Sequence, residues 1–226
     1  MEDKSRNIQQ MFDNIAHRYD LLNRILSFRR DVAWRKKAIK LMDIKKGQRV
    51  LDVACGTGDM ITELRKQIGF VDIVGTDFSK NMLVKAVEKG VDADLLAGDA
   101  HFLPFKNKSF DKIMIAFGFR NVTDKEQGLS EFYRILKDDG RLCILEFSQP
   151  EGPLFGRLYK FYFRKVLPFM GGIISGNKNA YEYLPESVYK FPKKDLYKAM
   201  ILNAGFKKVE FNPMTFGICD ATICYK

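Results

Sequence analysis

The stretch Val50-Leu51-Asp52-Val53-Ala54-Cys55-Gly56-Thr57-Gly58-Asp59-Met60 runs from an apolar, strand-like segment into a glycine turn that closes on an acid. Outward from it, β-prone runs alternate with helical periodicity: RVLDVA, a helix from Asp59, VDIVGTD, a helix from Lys80, DLLAGDA, FDKIMIAFG, a helix from Lys125, and RLCILEFS. That alternation predicts a mostly parallel sheet with helices on both faces. Toward the end, KDLYKAMILNAGF reads as a helix stopped by Gly205, and KKVEFNPMTFG and ATICYK read as strands pairing antiparallel. The expected fold class is therefore α/β, a Rossmann-like seven-stranded sheet, mostly parallel, with an antiparallel C-terminal hairpin.

Ligands of open parallel sheets lie outside the carboxyl ends of the strands, and the first strand-to-helix turn approaches them most closely. Gly56 and Gly58 let that turn bend sharply and keep Cβ atoms away from a ligand. A dinucleotide fingerprint needs a third glycine where Ile61 stands, and Asp59 opens the helix where a pyrophosphate wants positive potential. Four carboxylates, Asp52, Asp59, Asp77 and Asp99, are instead expected near the strand ends, which suits a ligand with a positive charge and free hydroxyls. S-adenosyl-L-methionine has both. Asp77 is placed to accept from both ribose hydroxyls, and Asp99 to accept from the exocyclic adenine amine, with the Ala100 amide donating to the ring. Asp52 and the Gly56–Gly58 backbone are expected to face the methionine portion.

The chain has 226 residues, is 46% hydrophobic and 29% charged, and carries a net charge of +10, which fits one globular domain drawn to anionic surfaces. That single domain is expected over residues 1–226, with a helical cap over 1–45 and an insertion over 150–192. The cap rests on apolar residues at helical spacing (Ile8, Met11, Phe12, Ile15, Tyr19, Leu22) and on DVAWRKKAIKLM, a second amphipathic helix. Four cysteines without a CxxC pair and only two histidines signal neither a disulfide framework nor a metal centre. No transmembrane segment is expected, and the charged N-terminus lacks an apolar export core, so a cytoplasmic location follows. The aromatic and basic run LYKFYFRKVLPF, with Phe155, Tyr159, Phe161, Tyr162 and Phe163 beside Lys160, Arg164 and Lys165, predicts peripheral contact with a membrane surface.

VLDVACGTGDM, VGTDFSKNML, AGDAHFLPFKNKSFD, FGFRNVTDKEQGLSEFYRILK, GRLCILEFSQP and YEYLPESVYKFP, with the N-terminal MFDNIAHRYDLLNRILSF and Trp34-Arg35, together resemble the ubiquinone/menaquinone biosynthesis C-methyltransferase family. The resemblance runs over nearly the whole chain. It implies C-methylation of a polyprenylated quinol precursor, of demethylmenaquinol or 2-polyprenyl-6-methoxy-1,4-benzoquinol type, and cofactor contacts at Thr57, Asp77, Asp99, Ala100 and Ala116. Ala116 stands where a serine is common. Arg29, Arg30, Asp31 and Val32 replace an LSFG-His-Arg pattern, Thr222 replaces a C-terminal histidine, and the KDDG turn at Lys137–Gly140 replaces KPGG. The two histidine changes bear on the methyl acceptor.

Methyl transfer to a ring carbon needs a phenolate-stabilising group or a base beside the sulfonium. FGFRN follows the fourth strand, so Arg120 and Asn121 are the expected pair for orienting or activating the acceptor. A guanidinium holds its proton at neutral pH, which favours phenolate stabilisation, directly or through an ordered water. Tyr19, Asp20, Tyr181 and His17 are secondary candidates. Alternatives are another small phenol or soluble metabolite as acceptor, or a cofactor-binding scaffold without turnover. A nucleic-acid substrate ranks lower, because IAFGF stands where amino-methylating enzymes carry an Asn/Asp-Pro-Pro-aromatic motif.

Overall fold

The computed structural model describes residues 10, 11, 13, 19–150, 162 and 178–226. In chain order the elements are α1 (Tyr19–Leu26), α2 (Arg30–Met42), β1 (Arg49–Val53), α3 (Asp59–Ile68), β2 (Asp72–Asp77), α4 (Lys80–Glu88), β3 (Asp94–Ala97) and β4 (Phe110–Ala116). A 3-10 turn (Phe119–Asn121), α5 (Lys125–Ile135), β5 (Leu136–Phe147), α6 (Lys178–Tyr189), α7 (Lys194–Asn203), β6 (Lys208–Met214) and β7 (Cys219–Tyr225) complete them.

The sheet has seven strands in the order β3-β2-β1-β4-β5-β7-β6. Strands β1 to β5 pair parallel, and β7 pairs antiparallel with both β5 and β6, as the sequence predicts. The order reverses between β1 and β4, so the crevice of an open α/β sheet falls over their carboxyl ends.

Each sheet face is covered by helices whose apolar residues recur at helical spacing. On one face Trp34, Ala38, Ile39 and Met42 of α2 and Met60, Ile61 and Leu64 of α3 pack over Val50, Ile73 and Met114. On the other, Leu129, Phe132 and Ile135 of α5 and Tyr197 and Ile201 of α7 cover Leu51, Ile113 and Ile144. Both strand faces are thus dry, which explains why the inner strands read as continuous apolar runs rather than alternating ones. The four cysteines are buried free thiols.

Two local expectations change. Lys137–Gly140 forms no separate turn before the fifth strand. It is an irregularity inside β5, where the register with β4 jumps from Phe110↔Leu136 to Lys112↔Arg141 and Asp139 takes φ +60°. The third strand ends at Ala97, so Asp99 lies in a bridged turn beyond it.

Candidate functional site

At the switch point lies a cleft open to solvent, where ligands of open α/β sheets bind. Its walls include Gly56, Asp77, Ser79, Met82, Asp99, Ala100, His101, Ala116, Phe117 and Asn121, drawn from the ends of β1, β2, β3 and β4. Of the residues expected at the site, Gly56, Asp77, Asp99, Ala100, Ala116 and Asn121 meet here. Asp52, Thr57, Gly58 and Arg120 do not line it.

Asp77 closes β2 and is tied to the glycine turn. Its Oδ2 accepts from the Gly56 N–H and its Oδ1 from the Ser79 N–H, each at 2.8 Å. Burial pushes its carboxyl up to about 6, although the Ser79 and Gly56 amides pull the other way. Ser79 caps α4 by accepting from the Met82 N–H at 3.1 Å, which fixes the chain just after Asp77.

Asp52 lies inside β1, paired to Gly75 and Met114, and is 1% exposed. Neither of its side-chain oxygens has a hydrogen-bond partner within the described protein. Burial drives its carboxyl well above the usual carboxylate range, against the nearby Arg35 guanidinium and together with Asp77 and Asp59. A buried carboxyl with both oxygens unsatisfied calls for a partner.

Asp59 is the correction within the expected row of acids. It faces the N-terminal helices, where Arg24 Nη2 and Lys89 Nζ reach it at 2.8 and 2.9 Å and Arg35 Nη2 lies at 3.7 Å. Burial raises its carboxyl, but Arg35, Lys89 and Arg24 outweigh burial and hold it below the ordinary value. As the first residue of α3 it also meets the positive helix end, so its charge is satisfied by the protein. Thr57 belongs to the same cluster, donating to Asp20 Oδ1 at 2.5 Å and accepting from Lys89 Nζ at 3.2 Å. Asp31 completes it, paired with Arg24 and, at 2.6 Å, with Arg35. Secondary candidate Asp20 therefore braces α1 to the turn.

The two glycines have different tasks. Gly56 has φ +56° and none of the described residues within 4 Å of an added Cβ, whereas at Gly58, with φ +78°, a Cβ would sit 2.5 Å from a Val91 methyl. The Gly58 N–H is bonded to the Cys55 carbonyl at 2.9 Å. Gly58→Ala is therefore expected to destabilise the fold by about 2–4 kcal/mol, from left-handed strain plus overpacking. Gly56→Ala should lose only about 1–2 kcal/mol of stability yet place its methyl in the ligand's path. Thermal melts and cofactor titrations on the two variants check this; equal stability losses would contradict it.

Arg120 and Asn121 leave the 3-10 turn in different directions. The Arg120 Nη1 donates to Glu146 Oε1 at 3.0 Å and to the Phe117 carbonyl, and its backbone N–H donates to Glu146 Oε2 at 3.0 Å. Its guanidinium carbon lies 5.7 Å from the Phe147 ring centre, while Arg120 Nε is buried with no hydrogen-bond partner among the described residues. Asn121 accepts from the Tyr183 hydroxyl at 2.9 Å. Burial raises the Tyr183 phenol, which keeps it a donor at neutral pH. Beyond β5, a second and larger cavity has Glu146, Phe147, Phe191, Tyr197, Phe211 and Thr222 in its walls. With Asn121 on the cleft and Glu146 on the cavity, the Arg120–Glu146 pair stands between the two. Thr222 Oγ1 donates there to Asp220 Oδ1 at 2.8 Å.

Glu146 and Tyr183 escaped sequence reasoning. Glu146 reads as an ordinary residue in an apolar strand, and its only signal was a lone acid within LCILEF. Tyr183 shares the YEY motif with Tyr181, whose side chain, like that of Tyr19, lies outside the described residues. His17 and the aromatic run also lie outside them, apart from Tyr162, whose ring centre is 6.2 Å from that of Phe28.

The strand order and the glycine turn at its switch point, with one acid closing β2 and another just beyond β3, define a Rossmann-like S-adenosylmethionine-dependent methyltransferase. A SAM-dependent methyltransferase from Thermotoga maritima shares the fold, with TM-score 0.69 at 21% identity over 96% of this chain and 99% of its own. The profile of the ubiE/COQ5 methyltransferase family matches residues 1–226, and the chain belongs to that family. Among similar proteins, a demethylmenaquinone methyltransferase of Thermus thermophilus is 48% identical over 92% of this chain and 96% of its own. A ubiquinone/menaquinone biosynthesis C-methyltransferase of Geotalea uraniireducens is 47% identical over 99% of this chain and 97% of its own.

Proposed function

We propose that the protein methylates a ring carbon of a polyprenylated quinol precursor of the demethylmenaquinol or 2-polyprenyl-6-methoxy-1,4-benzoquinol type. The observation that carries the reading is near-half identity, over almost the full length, to methyltransferases named for those quinones. Bound in the cleft, S-adenosylmethionine supplies a methyl group on a positively charged sulfur. The protein's residues supply placement, dryness and charge. Asp77 accepts from the ribose hydroxyls, Asp99 from the adenine amine, and the Ala100 amide donates to the ring. Ala116 adds contact without a hydrogen bond, and the Gly56 turn carries the methionine portion. Asp52 lies beneath the turn, where a bound ammonium would favour its ionised form against burial, while Thr57 and Gly58 hold the turn's shape. Asn121 faces the acceptor side of the cleft, and behind it the Arg120 guanidinium, paired with Glu146, lends the positive potential that favours the phenolate and so makes the ring carbon nucleophilic.

The test is incubation of the purified protein with methyl-labelled cofactor and demethylmenaquinol in detergent micelles, followed by mass spectrometry. Label on a ring carbon of the quinol is expected. Label on simple soluble phenols but not on the quinol would replace this reading with the small-phenol alternative.

The membrane contact belongs to the same proposal. Leu21 and Ile25, one turn apart on α1, and Phe28, in the turn that follows it, are 56%, 37% and 75% exposed and make an apolar stripe running off the end of α1 beside exposed Arg29 and Arg30. A greasy stripe edged by arginine suits an anionic lipid surface. Among the described residues no helix is long and apolar enough to cross a membrane. Phe28→Glu is expected to cut co-sedimentation with acidic vesicles about tenfold or more at low salt, by removing buried apolar area and adding repulsion. Unchanged sedimentation would sink the assignment of the stripe.

A further inference from the structure

His101 shares the cleft wall with Asp99, and the hydrogen-bonding sense of both its ring nitrogens is fixed. The backbone N–H of Asp124 can only donate, and it meets His101 Nε2 at 3.1 Å. Nε2 is therefore the lone-pair nitrogen and the ring proton sits on Nδ1, which donates to Asp99 Oδ1 at 2.5 Å. The same oxygen accepts from the His101 N–H at 2.9 Å. On the far side, the His101 carbonyl accepts from Gln127 Nε2 at 3.2 Å, and Asp124 caps α5 by accepting from the Gln127 N–H at 3.0 Å. One imidazole thus joins the acid after β3 to the start of the helix after β4.

Asp99 needs such a tie. Its side chain is 40% exposed, and a carboxylate in an open turn otherwise samples several rotamers that binding must then freeze. With Oδ1 taken twice by His101, the accepting capacity of Oδ2 is left for a ligand. We propose that His101 is a positioning residue for the adenine of the cofactor, presetting Asp99 so that Oδ2 receives the exocyclic amine. This rests on the reading that places adenine at Asp99.

The test is calorimetric titration of the full-length protein with S-adenosylhomocysteine and with its analogue bearing unsubstituted purine, which lacks the exocyclic amine. His101→Ala should raise the Kd for S-adenosylhomocysteine about tenfold and that for the purine analogue less than about twofold. His101→Asn puts an amide N–H where Nδ1 donates and should restore most of the affinity. His101→Gln keeps an acceptor for Asp124 but no donor for Asp99, and should not. In turnover the loss should appear in KM for S-adenosylmethionine with kcat unchanged. Equal weakening of both ligands, or rescue by Gln as good as by Asn, would overturn the proposal. Asp99→Ala separates the two layers. If it leaves discrimination between the ligands intact, the adenine reading itself fails. If it abolishes discrimination while His101→Ala does not, only the role of His101 falls.

Discussion

Glu146→Gln should lower the unfolding free energy by about 3–5 kcal/mol, the usual consequence of leaving a buried charge without its partner. The Arg120 and Glu146 side chains are only 6% and 5% exposed, so water cannot substitute for the lost carboxylate. For a protein of this length the melting temperature should fall by roughly 6–20 °C. Stability alone does not show what the guanidinium is for. The paired replacement Arg120→Met with Glu146→Gln removes both charges, and such exchanges often restore most of the stability. On the reading of Arg120 as the group favouring phenolate, the double variant should melt near the parent and bind S-adenosylhomocysteine within about threefold of it. Its turnover should nonetheless fall about 10²–10³-fold, as when a positioned donor is deleted from an active site. A double variant with parental turnover would reduce the pair to a brace between the 3-10 turn and β5.

The second large effect is expected at Asp77. Asp77→Ala should weaken cofactor binding by about 1–3 kcal/mol for each charge-assisted hydrogen bond removed, and it also releases the Gly56 and Ser79 amides that Asp77 holds. The parent adds a pH signature. With its carboxyl at about 6, above the ordinary carboxylate value, Asp77 contributes stability that is present at low pH and lost as the pH rises through 6. On the proposed placement of the ribose at Asp77, its hydroxyls act in the opposite sense, because they favour the ionised carboxylate. Affinity for S-adenosylhomocysteine should therefore climb about tenfold per pH unit below pH 6 and level off above it. Asp77→Asn should flatten that climb. Calorimetry between pH 5 and 8 reads both, and a steep climb persisting in the Asn variant would assign the titration elsewhere.

The architecture was legible because its signals are local. Each strand carries its own apolar run, each helix its own period, and Gly56-Thr57-Gly58 followed by Asp77 and Asp99 depends only on spacing along the sequence. What escaped depends on contacts between distant segments. Arg120 meets an acid 26 positions away, Tyr183 meets Asn121 across 62, and Thr57 is taken by Asp20 from a helix 37 residues earlier. Asp59 misled for the same reason. A first-turn acid looks free to face a ligand until Arg24, Arg35 and Lys89 are brought against it by helix packing. The glycine turn shows the division within a single motif: both glycines read alike in sequence, and only Val91, packed from beyond α4, distinguishes them.

The crystal structure of the protein with S-adenosylhomocysteine puts the whole arrangement to the test. The ribose hydroxyls should lie within hydrogen-bond distance of Asp77, the adenine amine on Asp99, and the ammonium above the Gly56 turn over Asp52. A nucleoside bound outside the β1–β4 crevice, or turned so that Asp77 and Asp99 touch neither ribose nor base, would contradict the account.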